Sequence, residues 1–159
     1  MFEDLNGKVP ADAATSREIS LVIGPTEVAD VMTGKVVTLS PHHGFTDVTN
    51  LMNDRSFRHC VVVDNQGRVV GVISDRDILR ALARNPNSRT KSLEQIMTRN
   101  PITVKRNTPI IDAVSKILSK RINCLPVVEE DGTICGIVTS TDLLKSYQQL
   151  LELVRKQAG

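Results

Sequence analysis

Ser74 and Asp77 stand three residues apart in GVISDRDI, and Thr139 and Asp142 repeat that spacing in GIVTSTDL. A hydroxyl followed at that interval by a carboxylate has two physical uses. The hydroxyl can cap a helix while the acid, in the first turn, reaches back to the free N–H groups. At a strand-to-helix junction the same pair offers N–H groups and a hydroxyl to a phosphate, and an ionised carboxylate to the vicinal hydroxyls of a ribose. Taken singly, either stretch reads as a cap. Gly71 and Gly136 tilt the balance toward a ligand. Glycine weakens a strand interior unless something must approach the backbone closely.

The phrase recurs because the chain is a duplication. Residues 28–82 align without a gap on 93–147 at an offset of 65. Met32-Thr33 then falls on Met97-Thr98, Asp47 on Asp112, Val62-Val63 on Val127-Val128, Gly67 on Gly132 and Leu79 on Leu144. Such an internal period outranks any local signal in reading the fold. Each copy opens with a β-branched run, at 36–39 and 102–104. An amphipathic helix follows, with Phe45, Val48, Leu51 and Met52 on one face in the first copy. In the second copy Thr108 is the expected N-cap and Pro109 the first helical residue, ahead of Ile110, Ala113, Val114, Ile117 and Leu118. Two strands then meet at the turns DNQG and EEDG, where Gly67 and Gly132 supply a permissive backbone. A second helix starts just after Ser74 or Thr139. A βαββα unit of about 55–60 residues is too small to bury a sound core alone, so two copies must pack together.

The expected organisation is an N-terminal extension at 1–26, repeats at 27–84 and 93–147, a linker at 85–92 and a helical extension at 148–159. The extension at the start carries a possible short helix at 13–21 and is expected to be partly flexible. The last helix keeps apolar spacing through Leu143, Leu144, Tyr147, Leu150, Leu151 and Val154, a face that needs a covering surface.

Composition narrows the function classes. Hydrophobic residues form 40% and charged residues 24% of the 159, a globular balance. Aromatics at 3% and a net charge of only +2 leave no stacking platform or basic field for nucleic acid. Without a signal peptide pattern or an apolar run of about 20 residues, the expected location is the cytoplasm, away from the membrane. Cys60, Cys124 and Cys135 sit in apolar runs with no CxxC spacing and read as reduced, buried thiols. His42, His43 and His59 with Cys60 lack the spacing that aims metal ligands at one point. His59 and Cys60, adjacent on a strand, point to opposite faces and cannot form a dyad. No nucleophile elbow or Walker loop occurs, so no enzymatic activity, cofactor or metal is expected.

The Met-Thr lead-in, the Leu125-Pro126-Val127-Val128 strand and the Gly-hydrophobic-x-Ser/Thr-x-x-Asp ending together resemble a pair of CBS domains, the cystathionine β-synthase domain family, over about residues 28–147. The resemblance implies an α+β fold of two pseudo-symmetric βαββα repeats packed through their sheets, with two clefts between them. It also implies a homodimer forming a four-repeat disc. The function implied is a stand-alone regulatory module that binds AMP, ADP, ATP or S-adenosylmethionine and signals to an effector protein in trans. The alternative is a ligand-free interaction module of the same fold.

Carried over by position, Asp77 and Asp142 would hold ribose, with Ser74 and Thr139 on ribose or phosphate. Lys35, Val36, Val37 and Asn100, Pro101, Ile102 would wall the base. Arg58, His59, Cys60 and Asn123, Cys124, Leu125 would line the clefts. Arg58, His59 and Arg76 in the first copy face only Asn123, Cys124 and Thr141 in the second. Guanidinium groups bind phosphate in a fork, so the Asp77 site is expected to be the tighter for a phosphorylated ligand.

Overall fold

The computed structural model of the chain describes residues 24–159, and the helix expected at 13–21 lies outside the described residues. A short 3-10 turn at Val28–Asp30 leads to strand β1 (Thr38–Leu39), helix α1 (Phe45–Arg55), strands β2 (His59–Val63) and β3 (Val69–Ser74) and helix α2 (Asp75–Arg84). A 3-10 helix at Pro86–Thr90 leads on to α3 (Leu93–Ile96), β4 (Thr98–Arg99), α4 (Ile110–Lys120), β5 (Cys124–Val128), β6 (Ile134–Thr139) and α5 (Ser140–Gln157).

One sheet runs β1-β2-β3-β4, with β1 parallel to β2 and the remaining pairs antiparallel. The other is the β5-β6 hairpin, extended on its two sides by single bridges, Val104 to Val127 and Thr33 to Ile137. Those bridges occupy the positions of β1 and β4 in the first sheet, so both lobes share one topology. At the hairpin tips the Val69 N–H donates to Gly132 O at 3.2 Å and the Ile134 N–H to Gly67 O at 3.0 Å. The offset of 65 relates these two bonds, so they mark the pseudo-twofold axis. Gly67 (φ 76°) and Gly132 (φ 85°) stand in the left-handed region the turns require.

The lobes are not the sequence repeats. Val28, from the first copy, is fully buried in the second lobe with Val104, Ala113, Ile117, Leu125, Val127 and Val138. Leu93, from the second copy, is fully buried in the first lobe with Phe45, Val48, Cys60, Val62, Ile73 and Ile78. Backbone bonds fasten each exchange: the Val28 N–H donates to Thr108 O at 2.9 Å and the Leu93 N–H to His43 O at 2.8 Å. Each copy thus completes the core of the other. Burying one such Val or Leu contributes about 1.5–3 kcal/mol, which a half-chain would forgo.

The exchange explains Gly71 and Gly136 differently from the expectation of a ligand. What approaches these backbones is methionine. A Cβ at Gly71 would fall on the Met97 sulfur, and a Cβ at Gly136 would lie 2.6 Å from the Met32 sulfur and 3.2 Å from Thr33 O.

Three local expectations also change. The strand read at 36–39 pairs only at Thr38–Leu39, because residues 33–37 are crossing from one sheet to the other. The run at 102–104 likewise pairs only at Val104. Thr108 does not cap α4: its Oγ1 accepts from the Lys105 N–H at 2.9 Å, and Pro109 is the N-cap. The linker is folded, with the buried Ser88 hydroxyl donating to Ala81 O at 2.9 Å. Val61 and Pro126 hold equivalent positions and are both fully buried, and nothing in the structure explains their difference in residue type. No helix among the described residues is long and apolar enough to cross a membrane.

Overpacking at the glycines tests this exchange. Gly136→Ala is expected to cost about 1–3 kcal/mol, measured by urea unfolding. Thr33 O cannot retreat there without breaking its 3.0 Å bond from the Ile137 N–H. At Gly71 the obstacle is a side chain, so Met97→Ala combined with Gly71→Ala should be more stable than the sum of the single effects, a non-zero coupling in a double-mutant cycle.

Candidate functional site

The two strand-to-helix junctions are built alike. The Ser74 N–H and hydroxyl both donate to Asp77 Oδ2 at 2.8 Å, and the Asp77 N–H donates to Ser74 Oγ at 3.2 Å. Thr139 and Asp142 repeat the pattern at 2.8, 2.8 and 3.3 Å. Both are therefore capping boxes that fix the carboxylates in place. The second carboxylate oxygens differ. Asp77 Oδ1 faces Arg80 Nη1 at 3.7 Å. Position 145 holds lysine instead, and Asp142 Oδ1 has no hydrogen-bond or ion-pair partner among the described residues. Asp142 keeps an acceptor available.

Asp142 lines a cleft of about 480 Å³. One wall is the crossing segment, with Thr33, Lys35, Val36 and Val37. Another is the α5 junction, Thr139 to Asp142 with Ile137 behind it. The third comes from the first lobe: Ser56, Phe57, Arg58 and His59, with Ser74, Asp75 and Arg76. Asn123 completes it. The structure thus gathers Lys35, Val36, Val37, Arg58, His59, Ser74, Arg76, Asn123, Thr139, Thr141 and Asp142 around one space. The cations expected to serve Asp77 share the cleft of Asp142.

Asp77, Asn100, Pro101 and Ile102 do not line this cleft. By the pseudo-twofold they hold the matching positions on the other side. Two expected cleft residues are corrected outright. Cys60 is 1% exposed and Leu125 0%, each in its lobe's core, whereas Cys124, the counterpart of His59, is buried on the side of Asp77. Strand alternation decides this: His59 turns to the cleft, so Cys60 turns to Val62 and Ile73. Burial pushes the Cys60 thiol up to about 11 and the Cys124 thiol up to about 12. Six lining residues went unanticipated: Thr33, Ser56, Phe57, Asp75, Ile137 and Ser140. Asp75 and Ser140 adjoin the caps and Thr33 belongs to the Met-Thr pair, so a local signal existed for these. Ser56, Phe57 and Ile137 enter only through folding.

Four pairs of the lining residues are related by the offset of 65: Arg58 and Asn123, Ser74 and Thr139, Asp75 and Ser140, Arg76 and Thr141. Both members of each pair line the same cleft, so the cleft extends across the pseudo-twofold axis. There Arg58 Nε stands 3.6 Å from Asp75 Oδ2. At the equivalent place the Ser140 hydroxyl donates to Asn123 O at 3.2 Å. Arg76 has no ion-pair partner among the described residues. Lys35, Arg58 and Arg76 against Asp75 and Asp142 leave the lining with one positive charge in excess when His59 is neutral.

Burial lowers the pKa of His59, with Asp75 and Asp77 opposing and Arg58 and Arg76 reinforcing the shift. The unfolded chain therefore takes up this proton at a higher pH than the folded one. The neutral-His59 contribution is complete above about pH 6.5 and is lost as pH falls toward the lower folded value. Urea unfolding between pH 7 and 5 should show a smaller loss of stability in His59→Gln than in the parent chain.

His43 Nδ1 accepts from the Ser40 N–H at 2.8 Å, and no group of three or more His, Cys, Asp or Glu side chains able to hold a metal occurs among the described residues.

Residues 28–84 and 93–149 each match the CBS domain. The chain is 31% identical over 122 residues to L-aspartate semialdehyde sulfurtransferase of Methanocaldococcus jannaschii, covering 77% of this chain and 23% of that protein. It spans about a quarter of the length of the first such enzymes it matches, 23–24%. Among solved structures, it resembles the CBS domain pair of protein MJ0100 in complex with 5′-methylthioadenosine and S-adenosyl-L-methionine. That match has a TM-score of 0.72 and 31% identity, covering 77% of this chain and 99% of that one. CBSX2 in complex with AMP matches with a TM-score of 0.71 and 27% identity, over 79% and 98% of the two chains. Two matching segments, the exchanged lead-ins and the paired junctions agree, and the chain belongs to the CBS domain family as a tandem pair.

Proposed function

We propose that the chain is a regulatory module that binds an adenine nucleotide, AMP, ADP, ATP or a related adenosyl compound, in the Asp142 cleft and signals to a partner protein in trans. The observation that carries the reading is Asp142, with one carboxylate oxygen unpartnered among the described residues, lining one cleft with an apolar wall and two guanidinium groups. The carboxylate would receive the ribose hydroxyls. Val36 and Val37 would flank the base, with Lys35 beside them, and Arg58 and Arg76 would meet the phosphate. Related pairs crystallised with AMP or with adenosyl thioethers and sulfonium compounds support the ligand class. The excess of cations favours a phosphate-bearing member over cationic S-adenosylmethionine. Ligand binding would shift the two lobes between arrangements that a partner binds with different affinity. The chain acts through binding, with catalysis left to that partner.

Calorimetric titration with AMP tests the assignment. Asp142→Asn is expected to weaken AMP at least tenfold, and the matched Asp77→Asn to change it less than threefold, with melting curves confirming that both variants are folded. Equal losses in the two would overturn the preference for Asp142. No thermal shift of the parent chain with AMP, ADP, ATP or S-adenosylmethionine would favour the interaction module instead. Ligand at one hundred times Kd adds about 2.7 kcal/mol and is readily seen.

Exposed apolar side chains support self-association into a four-repeat assembly. Leu79 (65% exposed) and Leu144 (67% exposed) are equivalent residues on α2 and α5, and Ile111 and Leu118 project from α4. A second copy related by a twofold axis would cover both sets at once. Light scattering is expected to report a dimer for the parent chain and a monomer for Leu144→Glu.

A further inference from the structure

We infer that the middle of the cleft is a single anion seat shared by two half-sites, so that one chain holds one phosphorylated ligand at a time. The opposite half-site then admits only an adenosyl compound that lacks a phosphate. The inference rests on the adenosyl reading of the cleft and adds a rule of occupancy to it.

The composition of the lining carries the argument. Lys35, Val36, Val37 and Asp142 belong to one side only. Their counterparts at the offset of 65, Asn100, Pro101, Ile102 and Asp77, define the other half-site. The four pseudo-equivalent pairs between them exchange places under the same operation. The space they enclose is therefore the same space for both half-sites. A ligand with its ribose on Asp142 and one with its ribose on Asp77 would direct their phosphates to a common centre.

The cations of that centre are not duplicated. Arg58 and Arg76 both come from the first copy, and their counterparts are the neutral Asn123 and Thr141. Arg58 is already partly neutralised by Asp75 at 3.6 Å. A phosphate monoester carries about −1.5 to −2 at pH 7, enough to consume both guanidinium groups. A second phosphate would meet the first at close range with no further guanidinium among the lining residues to separate them, Lys35 belonging to the Asp142 side alone. An adenosyl compound without phosphate escapes that repulsion and needs only the carboxylate and the apolar wall of its own side.

Calorimetry on the full chain with AMP and with 5′-methylthioadenosine separates the cases. The expected result is one AMP per chain, and one 5′-methylthioadenosine binding in addition to a chain saturated with AMP. Thr141→Arg, which supplies the missing counterpart of Arg76 at an exposed position, is expected to tighten a second AMP at least tenfold. Two AMP per parent chain with affinities within threefold would overturn the shared seat while leaving the adenosyl reading intact. One AMP with no additional 5′-methylthioadenosine would overturn it as well, since the opposite half-site would then be closed whatever the charge. If neither compound binds the folded chain, the adenosyl reading itself fails and this inference falls with it.

Discussion

The exchange of lead-in segments is the constraint on which the rest of this structure depends. Val28 and Leu93 are buried in lobes that their own repeats do not otherwise build. Two small sheets with one apolar face each gain a complete core only by lending a segment to the partner. The energetic unit is thus the pair, although the evolutionary unit is the repeat. Gly71 and Gly136 belong to this constraint, since the methionine of the visiting segment lies where a side chain would otherwise stand.

The cleft is a consequence of the same crossing. Residues 33–37 leave the bridge between Thr33 and Ile137 and reach β1 in the other lobe, so they span the groove between the sheets. Backbone in transit has no ladder partners of its own, which leaves Lys35, Val36 and Val37 to face whatever enters. The capping boxes then act on two levels. Each stabilises the start of a helix, a contribution of about 1 kcal/mol, and each holds a carboxylate in place through its Oδ2. Arg80 occupies the remaining oxygen in one copy and not in the other, so near-identical junctions acquire different chemistry.

Much of this was legible beforehand. The period, the two βαββα units, the strand-to-helix junctions and the turn glycines follow from apolar spacing and from residues whose backbone preferences are strong. So do the opposed faces of His59 and Cys60, since alternation along a strand is a local rule. The readings that failed involve residues whose neighbours are distant in the chain. Cys60 and Leu125 hold cleft positions by homology, but their side chains close the two cores. Thr108 is a local exception, its Oγ1 accepting from the Lys105 N–H three residues back within the turn before the helix. Ser56, Phe57 and Ile137 line the cleft only because two lobes bring them to it.

The sequence by itself determined the duplication, the α+β class, the family and the pairing of a hydroxyl with a carboxylate at each junction. These are properties of single segments, set by side-chain periodicity and by the geometry of helix starts. Only the tertiary structure decided which repeat completes which core, why the strand glycines are small, and that Arg58 and Arg76 line one cleft with Asp142. Those outcomes turn on crossing between lobes, and a contact between segments distant in the chain leaves no local pattern that encodes it.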